Sequence, residues 1–491
     1  MKLATPLALI LAVAVSLANS QSALPRLLGY VPVNNAAFVE AYQDIQVNGS
    51  SAYTIYVSTF NPINFSKDPK YYLRNPGPLL NNVSDWNFLK IDDANTAFWP
   101  NNPDYMPGRC TLRRFWATLA TTLFTFFIYS PSSRGSWSTG DCLDIGFPCS
   151  WEEKGKFGVV RYRVRSSKWT VPYYSAGRES LEQLLGHHIR SYNVIDVIVL
   201  QETEWSYHRV VWKDMDADGD LDALVARFHV NLVGTVRTQF AWLENPGLSL
   251  TETPSAGWNQ HVLQDSRNGE KGPDVHFRNF ELVQGNDRFD CIIASEFWRE
   301  ELALYYTTTG WNNWTEVTRI AVDPNIGQSF DLYVDDVNRD GKVDIMAASY
   351  DGKLGSVFVY EIPEDIRNGT FVKHTIADGF KANGFIGGQS MSPGSPKTFY
   401  PSKAAEEELV GGQQRKPLVI VSGDDDGAHY ILEPVSEDRG NWTYTKNVLI
   451  DTEKDTVGKY SVVDLDGDGY NEIIAAGYSI GRVYVFTYKP E

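Results

Sequence analysis

The sequence is poor in cysteine and in basic residues. Four cysteines in 491 residues are too few for a disulfide scaffold, so a hydrophobic core must hold the fold. The 44 Lys and Arg residues are outnumbered by 61 Asp and Glu, and the resulting net charge of −17 argues against extended contact with nucleic acid. Hydrophobic residues make up 43% and charged residues 21%, a balance that argues against disordered and multi-span membrane chains.

A long apolar run lies at the N-terminus, where Lys2 precedes the apolar residues 7–17 and small residues follow. This pattern predicts a secretory signal peptide over residues 1–20, with cleavage after Ser20, and the run is too short for a permanent membrane span. The C-terminal residues show neither a hydrophobic anchor nor a retention signal. We therefore expect a secreted, extracellular protein in which residues 21–491 form one domain. Six glycosylation sequons agree with export: Asn48, Asn64, Asn82, Asn313, Asn368 and Asn441.

The four cysteines divide into two groups. Cys291 lies in a strand-like run and is predicted to be a buried thiol, whereas Cys110, Cys142 and Cys149 lie within forty residues of one another. One disulfide among these three is expected in an oxidising compartment. Cys142 and Cys149 would close the shortest loop, but the spacing leaves the pairing open.

Three segments repeat one pattern of an apolar strand, an acidic loop and a second strand rich in small and β-branched residues. They are VVWKDMDADGDLDALVARF from Val210, LYVDDVNRDGKVDIMAASY from Leu332 and SVVDLDGDGYNEIIAAGY from Ser461. Their acidic loops start 122 and 128 residues apart, and weaker copies begin between them at Phe280 and Pro417. The repeat length is therefore about 62 residues, which suits a four-stranded propeller blade.

This repeat length predicts an all-β fold, a seven-bladed β-propeller with calcium-binding loops between blade strands. A doubly wound α/β fold would need amphipathic helices between its strands, and one weak candidate is found, from Arg178. The 471 residues after the signal peptide hold roughly seven units. A closed ring of blades also removes exposed sheet edges.

One segment departs from the acidic composition of the chain. Residues 105–140 contain no Asp or Glu and include an apolar run of fifteen residues, so residues 105–150 are interpreted as an anomalous insert or irregular segment. Three interpretations remain open: a sequence anomaly such as an unspliced insert, a buried blade edge, or a loop that contacts a membrane.

The acidic loops have the spacing of calcium sites. Each places oxygen-bearing side chains at positions 1, 3, 5 and 9 and a glycine at position 6, which permits the chain reversal that brings the oxygens together. An EF-hand would need Glu at position 12 and flanking helices, but position 12 is Val225, Ala347 or Ala475 and strands follow. The alternative is a solvated acidic turn without metal. The predicted calcium ligands, with a main-chain carbonyl at each seventh position, are Asp214, Asp216, Asp218, Asp220, Asp222, Asp336, Asn338, Asp340, Lys342, Asp344, Asp464, Asp466, Asp468, Tyr470 and Glu472.

The weaker copies are predicted to bind no metal. Gln284, Asn286 and Asp290 lack the first carboxylate of the pattern, because Leu282 stands at its place. The triplet Asp424, Asp425 and Asp426 lacks the spacing.

The three loops DMDADGDLD, DVNRDGKVD and DLDGDGYNE resemble the FG-GAP or VCBS repeats of integrin-α-type β-propellers. Similar repeats occur in bacterial adhesins, fungal lectins, some polysaccharide lyases and aldos-2-ulose dehydratases. The resemblance implies a propeller fold and structural calcium, and it covers residues 200–491 better than the part before them. It implies no particular reaction.

Two functions are considered. The leading hypothesis is a binding module whose loops around the propeller axis recognise a glycan or an extracellular protein, because no motif for nucleophilic catalysis is found. Most aromatic residues are expected to fill blade cores instead of facing a sugar.

The second hypothesis is a polysaccharide lyase or sugar dehydratase. His208 and His276 each lie six residues before the first position of a loop or its weaker copy, so they could converge with Asp274 and Arg209 at the axis as a metal pair or an acid/base couple. The alternative is that both histidines are structural.

Overall fold

The computed structural model describes residues 24–47, 50–59, 69–90, 206–230, 236–245, 259–267, 270–311, 313–383 and 390–491, together with four short strands between residues 104 and 197. The predicted signal peptide, most of the segment 105–150 and the helix candidate from Arg178 lie outside the described residues, as do Cys110, Cys142 and Cys149. Cys291 is buried and carries a free thiol, as predicted. Of the predicted glycosylation sites, Asn82, Asn313 and Asn368 are exposed and Asn441 is half-buried.

The described strands form six antiparallel four-stranded sheets, which are the blades of a β-propeller. Blade 1 contains β2 (Ala36–Val47), β3 (Ser50–Thr59), β4 (Lys70–Arg74) and β5 (Leu89–Lys90). Blade 2 contains β10 (Ser206–Lys213), β11 (Asp222–Val230), β12 (Val236–Glu244) and β13 (Asn259–Arg267). Blade 3 contains β14 (His276–Gln284), β15 (Asp287–Glu296), β16 (Glu301–Thr307) and β17 (Thr318–Asp323).

The remaining blades follow the same plan. Blade 4 contains β18 (Leu332–Asp335), β19 (Asp344–Tyr350), β20 (Gly355–Glu361) and β21 (Val372–Phe380). Blade 5 contains β22 (Pro396–Phe399), β25 (Leu418–Ser422), β26 (Ala428–Pro434) and β27 (Tyr444–Asp451). Blade 6 contains β28 (Tyr460–Val463), β29 (Glu472–Gly477), β30 (Arg482–Thr487) and β1 (Arg26–Pro32).

The other elements are short. The paired strands outside the blades are β6 (Asp104–Tyr105) with β7 (Thr121–Thr122), β8 (Val160–Arg163) with β9 (Asn193–Val197), and β23 (Leu409–Val410) with β24 (Gln413–Gln414). The helical elements are α1 (Lys403–Glu407) and three 3-10 turns, Gly77–Asp85, Trp314–Glu316 and Asp424–Asp426. Among the described residues, no helix is long and apolar enough to cross a membrane.

The predicted all-β propeller is confirmed, but the predicted number of seven blades is wrong, because the described strands make six. The repeat-length estimate assigned every residue after the signal peptide to a blade. Between residues 91 and 205 the described strands form two-stranded pairs only. Dividing the chain length by the repeat length therefore gave too many blades.

The two ends of the described chain close one blade together. β1 pairs antiparallel with β30, with Pro32 opposite Arg482 and Arg26 opposite Thr487, and the Val33 N–H donates to the Gly481 carbonyl at 3.0 Å. The C-terminal strands contribute to a blade as predicted, and the N-terminal strand supplies the fourth strand that the sequence analysis did not identify.

The hydrophobic core lies between neighbouring blades. Strands such as β19 and β29 are buried along nearly their whole length, which explains their small and β-branched residues. Five clusters join successive blades from blade 2 round to blade 1; for example, Leu304 of blade 3 and Ile345 of blade 4 belong to one cluster. The first strands also pack against one another, β14 against β10 and β18, and β2 against β28. The first strand of each blade is therefore the strand nearest the axis.

Candidate functional site

The three acidic loops share one backbone conformation. They span residues 214–222, 336–344 and 464–472 and join the first two strands of blades 2, 4 and 6. The glycine at position 6 has a positive φ in each loop (96°, 92° and 91°), which a residue with a side chain adopts only with strain. Its N–H donates to the first-position aspartate in every case: Gly219 to Asp214 (3.1 Å), Gly341 to Asp336 (2.8 Å) and Gly469 to Asp464 (2.9 Å).

The carboxylate at position 9 anchors each loop to the following strand. It accepts the N–H of position 2: Asp222 from Met215 (2.8 Å), Asp344 from Val337 (3.0 Å) and Glu472 from Leu465 (3.0 Å). Burial is the main cause that raises the pKa of these three groups, and the neighbouring carboxylates add to it, although the hydrogen bonds act in the opposite direction. The pKa rises to about 6 for Asp222, about 8 for Asp344 and about 7 for Glu472. Each loop thus concentrates negative charge that a bound cation would offset.

Two loops bring three carboxylates together. Asp214, Asp216 and Asp218 each place an oxygen within 4.8 Å of the others, and so do Asp464, Asp466 and Glu472. In the first loop, within the described part of the chain, Asp214 Oδ1 and Asp220 Oδ1 are buried without a hydrogen-bond partner. Burial and four neighbouring aspartates raise the pKa of Asp220 to about 6.

The aspartate at position 5 accepts the same main-chain hydrogen bond in all three loops. Asp218, Asp340 and Asp468 accept the N–H of the seventh-position residue, from Asp220 at 3.0 Å, Lys342 at 2.9 Å and Tyr470 at 2.9 Å. The main-chain N–H of each seventh-position residue is therefore bound to the loop, and the role of its carbonyl as a calcium ligand stays a prediction.

Basic side chains stand beside two of the loops. In the second loop, buried Asn338 takes the place of the third-position carboxylate, and Arg339 pairs with Asp335 at 3.0 Å. In the third loop, Lys489 Nζ lies 2.6 Å from Asp468. A cleft of about 600 Å³ opens beside this loop and is lined on its other side by residues of blade 1, among them Tyr53.

In the weaker copies, the side chains at the loop positions form hydrogen bonds and ion pairs with other protein groups. The Asp290 carboxylate accepts from Lys213 Nζ at 2.9 Å and from the Trp311 indole at 2.8 Å. Gln284 binds the Pro363 carbonyl and the Ile366 N–H, linking blade 3 to blade 4, and Asn286 lies in the turn after β14.

The triplet Asp424–Asp426 likewise forms hydrogen bonds with neighbouring protein groups. Asp425 accepts the Met391 N–H at 3.0 Å and the Thr456 hydroxyl at 2.7 Å. Asp426 accepts the hydroxyls of Ser392 (3.1 Å) and Tyr430 (2.9 Å).

A cluster of charged side chains lies at the axis. Asp331, which precedes β18, has Arg278, His276 and Lys459 at 3.6 to 3.7 Å, and Lys459 also lies 3.2 Å from Glu40. Burial would raise the pKa of Asp331, but the charges of Lys459, Arg278, His276 and Arg209 hold it below its ordinary value. The axial cluster takes at least one residue from each of the six blades: Glu40, Arg209, His276, Arg278, Asp331, Lys397 and Lys459.

The four candidate catalytic residues separate in the structure. Arg209 and His276 belong to the axial cluster, and the His276 ring also lies 4.8 Å from that of Phe330. Asp274 points elsewhere: it is buried, and its two oxygens accept the N–H groups of Phe297 (2.9 Å) and Trp298 (3.0 Å), which fixes the turn after β15. His208 lies in β10, and its side chain is outside the described residues.

Sequence reasoning missed five members of the axial cluster: Glu40, Arg278, Asp331, Lys397 and Lys459. A signal was present, because Arg209, Asp331 and Lys459 each lie five residues before the first aspartate of a loop. A charged residue at this repeat position, in the first strand of a blade or directly before it, therefore marks a position near the axis.

The comparisons with known proteins add little to this geometry. No protein-family model matches the chain, and no curated protein matches it. Among solved structures, a Synechocystis apocarotenoid oxygenase mutant is 9% identical, with 94% of this chain and 91% of that chain covered and a TM-score of 0.31. A TM-score this low supports no inference about fold or function.

Proposed function

We propose that this protein is a secreted, calcium-stabilised β-propeller that binds a glycan or an extracellular protein at the axial end of blades 2 and 3. The observation that carries the proposal is the axial cluster, in which five charged side chains from four blades (Glu40, His276, Arg278, Asp331 and Lys459) are linked by contacts of 3.2 to 3.7 Å. Charged groups gathered from many elements around one opening are typical of recognition sites on propellers.

Calcium is proposed as the ion of the three acidic loops. The donor set is made of carboxylate and amide oxygens in short turns, which is the chemistry that calcium prefers. The buried and unpartnered Oδ1 atoms of Asp214 and Asp220 support this assignment within the described residues. Asp214, Asp216, Asp218 and Asp222 would hold the ion in the first loop, and the equivalent residues would do so in the others.

The ion is assigned a structural role in this proposal. The three loops bridge the first two strands of alternate blades, and position 9 of each is the first residue of a second strand. An ion bound between the loop and that residue would link the first two strands of the blade. The axial cluster lies on the first strands before the loops begin, so ligand binding and calcium binding are separable.

The test is incubation of the purified protein with a panel of polysaccharides and aldose-derived sugars. Retention on a polysaccharide without new products supports a binding module. Ultraviolet-absorbing unsaturated products that disappear in His276→Ala would instead favour a lyase or dehydratase. His276→Ala leaves the calcium loops intact, so equal melting temperatures of the variant and the parent in excess calcium would exclude misfolding as the cause.

A further inference from the structure

The cleft of about 600 Å³ beside the third acidic loop lies between blade 6 and blade 1. The loop, β1 and β30 form one wall of this cleft, and β2, β3 and the 3-10 turn after β4 form the other. None of the residues that line it belongs to the axial cluster. Its volume lies within the range of about 300 to 1,000 Å³ that is typical of pockets for small ligands.

The two walls of the cleft are packed directly against each other. A Cβ atom at Gly77 would lie only 2.5 Å from the Leu465 carbonyl oxygen, so glycine is needed for the turn of blade 1 to approach the third loop this closely. Leu80 and Leu465, which line the cleft, belong to the hydrophobic cluster that joins the two blades. The cleft is therefore preformed, and a ligand would not have to separate the blades.

Four uncharged polar side chains line the cleft: Gln43, Tyr53, Asn75 and Asn81. Within the described part of the chain, these side chains form no hydrogen bond with another protein group. They carry three primary amides and one phenol, which together can both donate and accept hydrogen bonds. The cleft therefore offers donors and acceptors that the fold itself does not use.

Asn75 has an uncommon backbone conformation. Its φ is 48°, in the left-handed region that asparagine tolerates better than most residues with a side chain. Its N–H donates to the Tyr53 carbonyl at 2.8 Å, which holds the chain after β4 beside β3. Residues in such sparsely populated conformations cluster at ligand sites. The geometry of the turn thus brings two of the four polar side chains to the same wall.

The charged groups around the cleft already have partners within the protein. The three carboxylates that line it, Asp464, Asp466 and Glu472, each accept a main-chain N–H of the third loop. Of the two cations, Lys489 is paired with the loop, and Arg26 lies 3.9 Å from the side chain of the C-terminal residue. The amides and the phenol are therefore the groups that remain for a ligand. A neutral ligand rich in hydroxyl groups suits them better than an ion does.

We propose that this cleft binds a neutral saccharide through hydrogen bonds to Gln43, Tyr53, Asn75 and Asn81. Sugar hydroxyls both donate and accept, as these four side chains do. The half-buried ring of Tyr53 and the side chain of Leu28 also offer apolar surface for the C–H groups of a sugar ring. This site is additional to the axial site proposed above, and neither depends on the other.

The test measures binding of three neutral disaccharides, cellobiose, lactose and mannobiose, by calorimetry in the presence of calcium. At least one is expected to bind. Tyr53→Phe keeps the ring and is expected to weaken that binding by about threefold to tenfold, because one hydrogen bond is lost. Asn75→Gly removes the amide, keeps the positive φ and is expected to weaken binding by a similar factor.

Asn35→Gly is the matched control. Asn35 is also half-buried and has a φ of 56°, but it lies in the turn between β1 and β2 and does not line the cleft. This variant is expected to bind the disaccharide as the parent does. A loss of affinity equal to that of Asn75→Gly would overturn the inference.

Melting temperatures without ligand separate a binding defect from misfolding. Tyr53→Phe and Asn75→Gly are expected to melt within a few degrees of the parent, because the ring and the turn are kept. If one of them unfolds, Gln43→Ala and Asn81→Ala change exposed positions of the same cleft and take its place. Unchanged affinity in the folded variants would overturn the inference, and so would a parent that binds none of the three disaccharides.

His276→Ala separates the cleft from the axial site. Normal disaccharide binding in His276→Ala together with weakened binding in Asn75→Gly supports the cleft. Retention of a polysaccharide that requires His276 and is normal in Asn75→Gly, with no disaccharide binding, would support the axial function and overturn this inference. Tighter binding of digalacturonate than of any neutral disaccharide would overturn the assignment to a neutral ligand.

Discussion

At the scale of the residue, aspartates in similar repeats have different partners. Asp340 belongs to a predicted calcium loop, and Asp290 belongs to a weaker copy. Asp340 lies exposed at position 5 of the second loop, where its oxygen accepts a main-chain N–H. Asp290 lies where position 9 would be in a weaker copy and is held by Lys213 and Trp311. In the weaker copy the carboxylate at position 9 is therefore bound by a lysine and an indole N–H of the protein.

We predict that Asp340→Ala removes about one third of the calcium-induced rise in melting temperature, because one of the three loops would lose a ligand. Asp290→Ala is expected to lower the melting temperature equally with and without calcium, since it breaks an ion pair that involves no metal. The measurement is thermal unfolding of both variants in excess calcium and in EGTA. A calcium response in Asp340→Ala equal to that of the parent would contradict the assignment of the second loop.

We expect the buried side chain of His429 to make stability depend on pH. Its ring is fully buried and Nε2 lies 3.0 Å from the Ala476 carbonyl, and burial lowers its pKa to about 4, against an ordinary value of 6.5. Between these values the unfolded chain binds a proton that the folded chain does not, so stability falls as the pH falls from 6.5 to 4.

We predict that the parent loses about 3 kcal/mol more stability than His429→Gln over this range. Glutamine can donate to the same carbonyl but does not titrate. The measurement is denaturant unfolding at pH 7 and pH 4 for both proteins. A difference between them that does not change with pH would show that His429 is not the responsible group.

At the scale of the element, β30 lies between two strands that are distant in sequence. It pairs with β29 on one side and with β1 on the other, so it joins the first described strand of the chain to the last blade. Its buried residues Val483, Val485 and Phe486 also belong to the clusters that hold blade 6 against its neighbours. Loss of this strand would open the ring at the place where the two ends of the chain meet.

We predict that truncation before Gly481 prevents secretion of folded protein, because β1 and β29 would both lose their partner and expose sheet edges. Truncation after Lys489 is the control, since it removes only the exposed residues Pro490 and Glu491. The measurement is the amount of protease-resistant protein in the medium. Equal amounts for both truncations would contradict closure through the C-terminal strand.

At the scale of the whole molecule, the three acidic loops lie on alternate blades of a chain that is already strongly acidic, and two of them hold three carboxylates close together. Bringing these like charges together opposes folding unless cations offset them. Calcium bound to the folded state and not to the unfolded chain would raise stability in proportion to the logarithm of its concentration.

We predict that excess EGTA lowers the melting temperature of the protein by several degrees, and that added calcium restores it. Magnesium is expected to restore less, because it demands a stricter octahedral geometry than these loops offer. The measurement is calorimetric or fluorescence-detected melting in each condition. An unchanged midpoint in EGTA would contradict a structural role for calcium.

The sequence by itself determined the all-β class, the strand-loop-strand repeat and the conformation of the three loops. These are local properties: alternation of apolar residues selects strands, and the glycine at position 6 allows the loop to reverse. Asp214 and Gly219 are five residues apart, so their contact needs no other part of the chain.

Tertiary structure decided the number of blades, the closure by β1 and β30, and the axial cluster. Asp331 meets Arg278 and Lys459 only because the first strands of different blades are packed around one axis, and Asp274 is drawn away from that axis by two N–H groups of the turn after β15. These contacts join residues tens to hundreds of positions apart. Local patterns cannot specify such pairs, because the packing of whole blades sets which strands become neighbours.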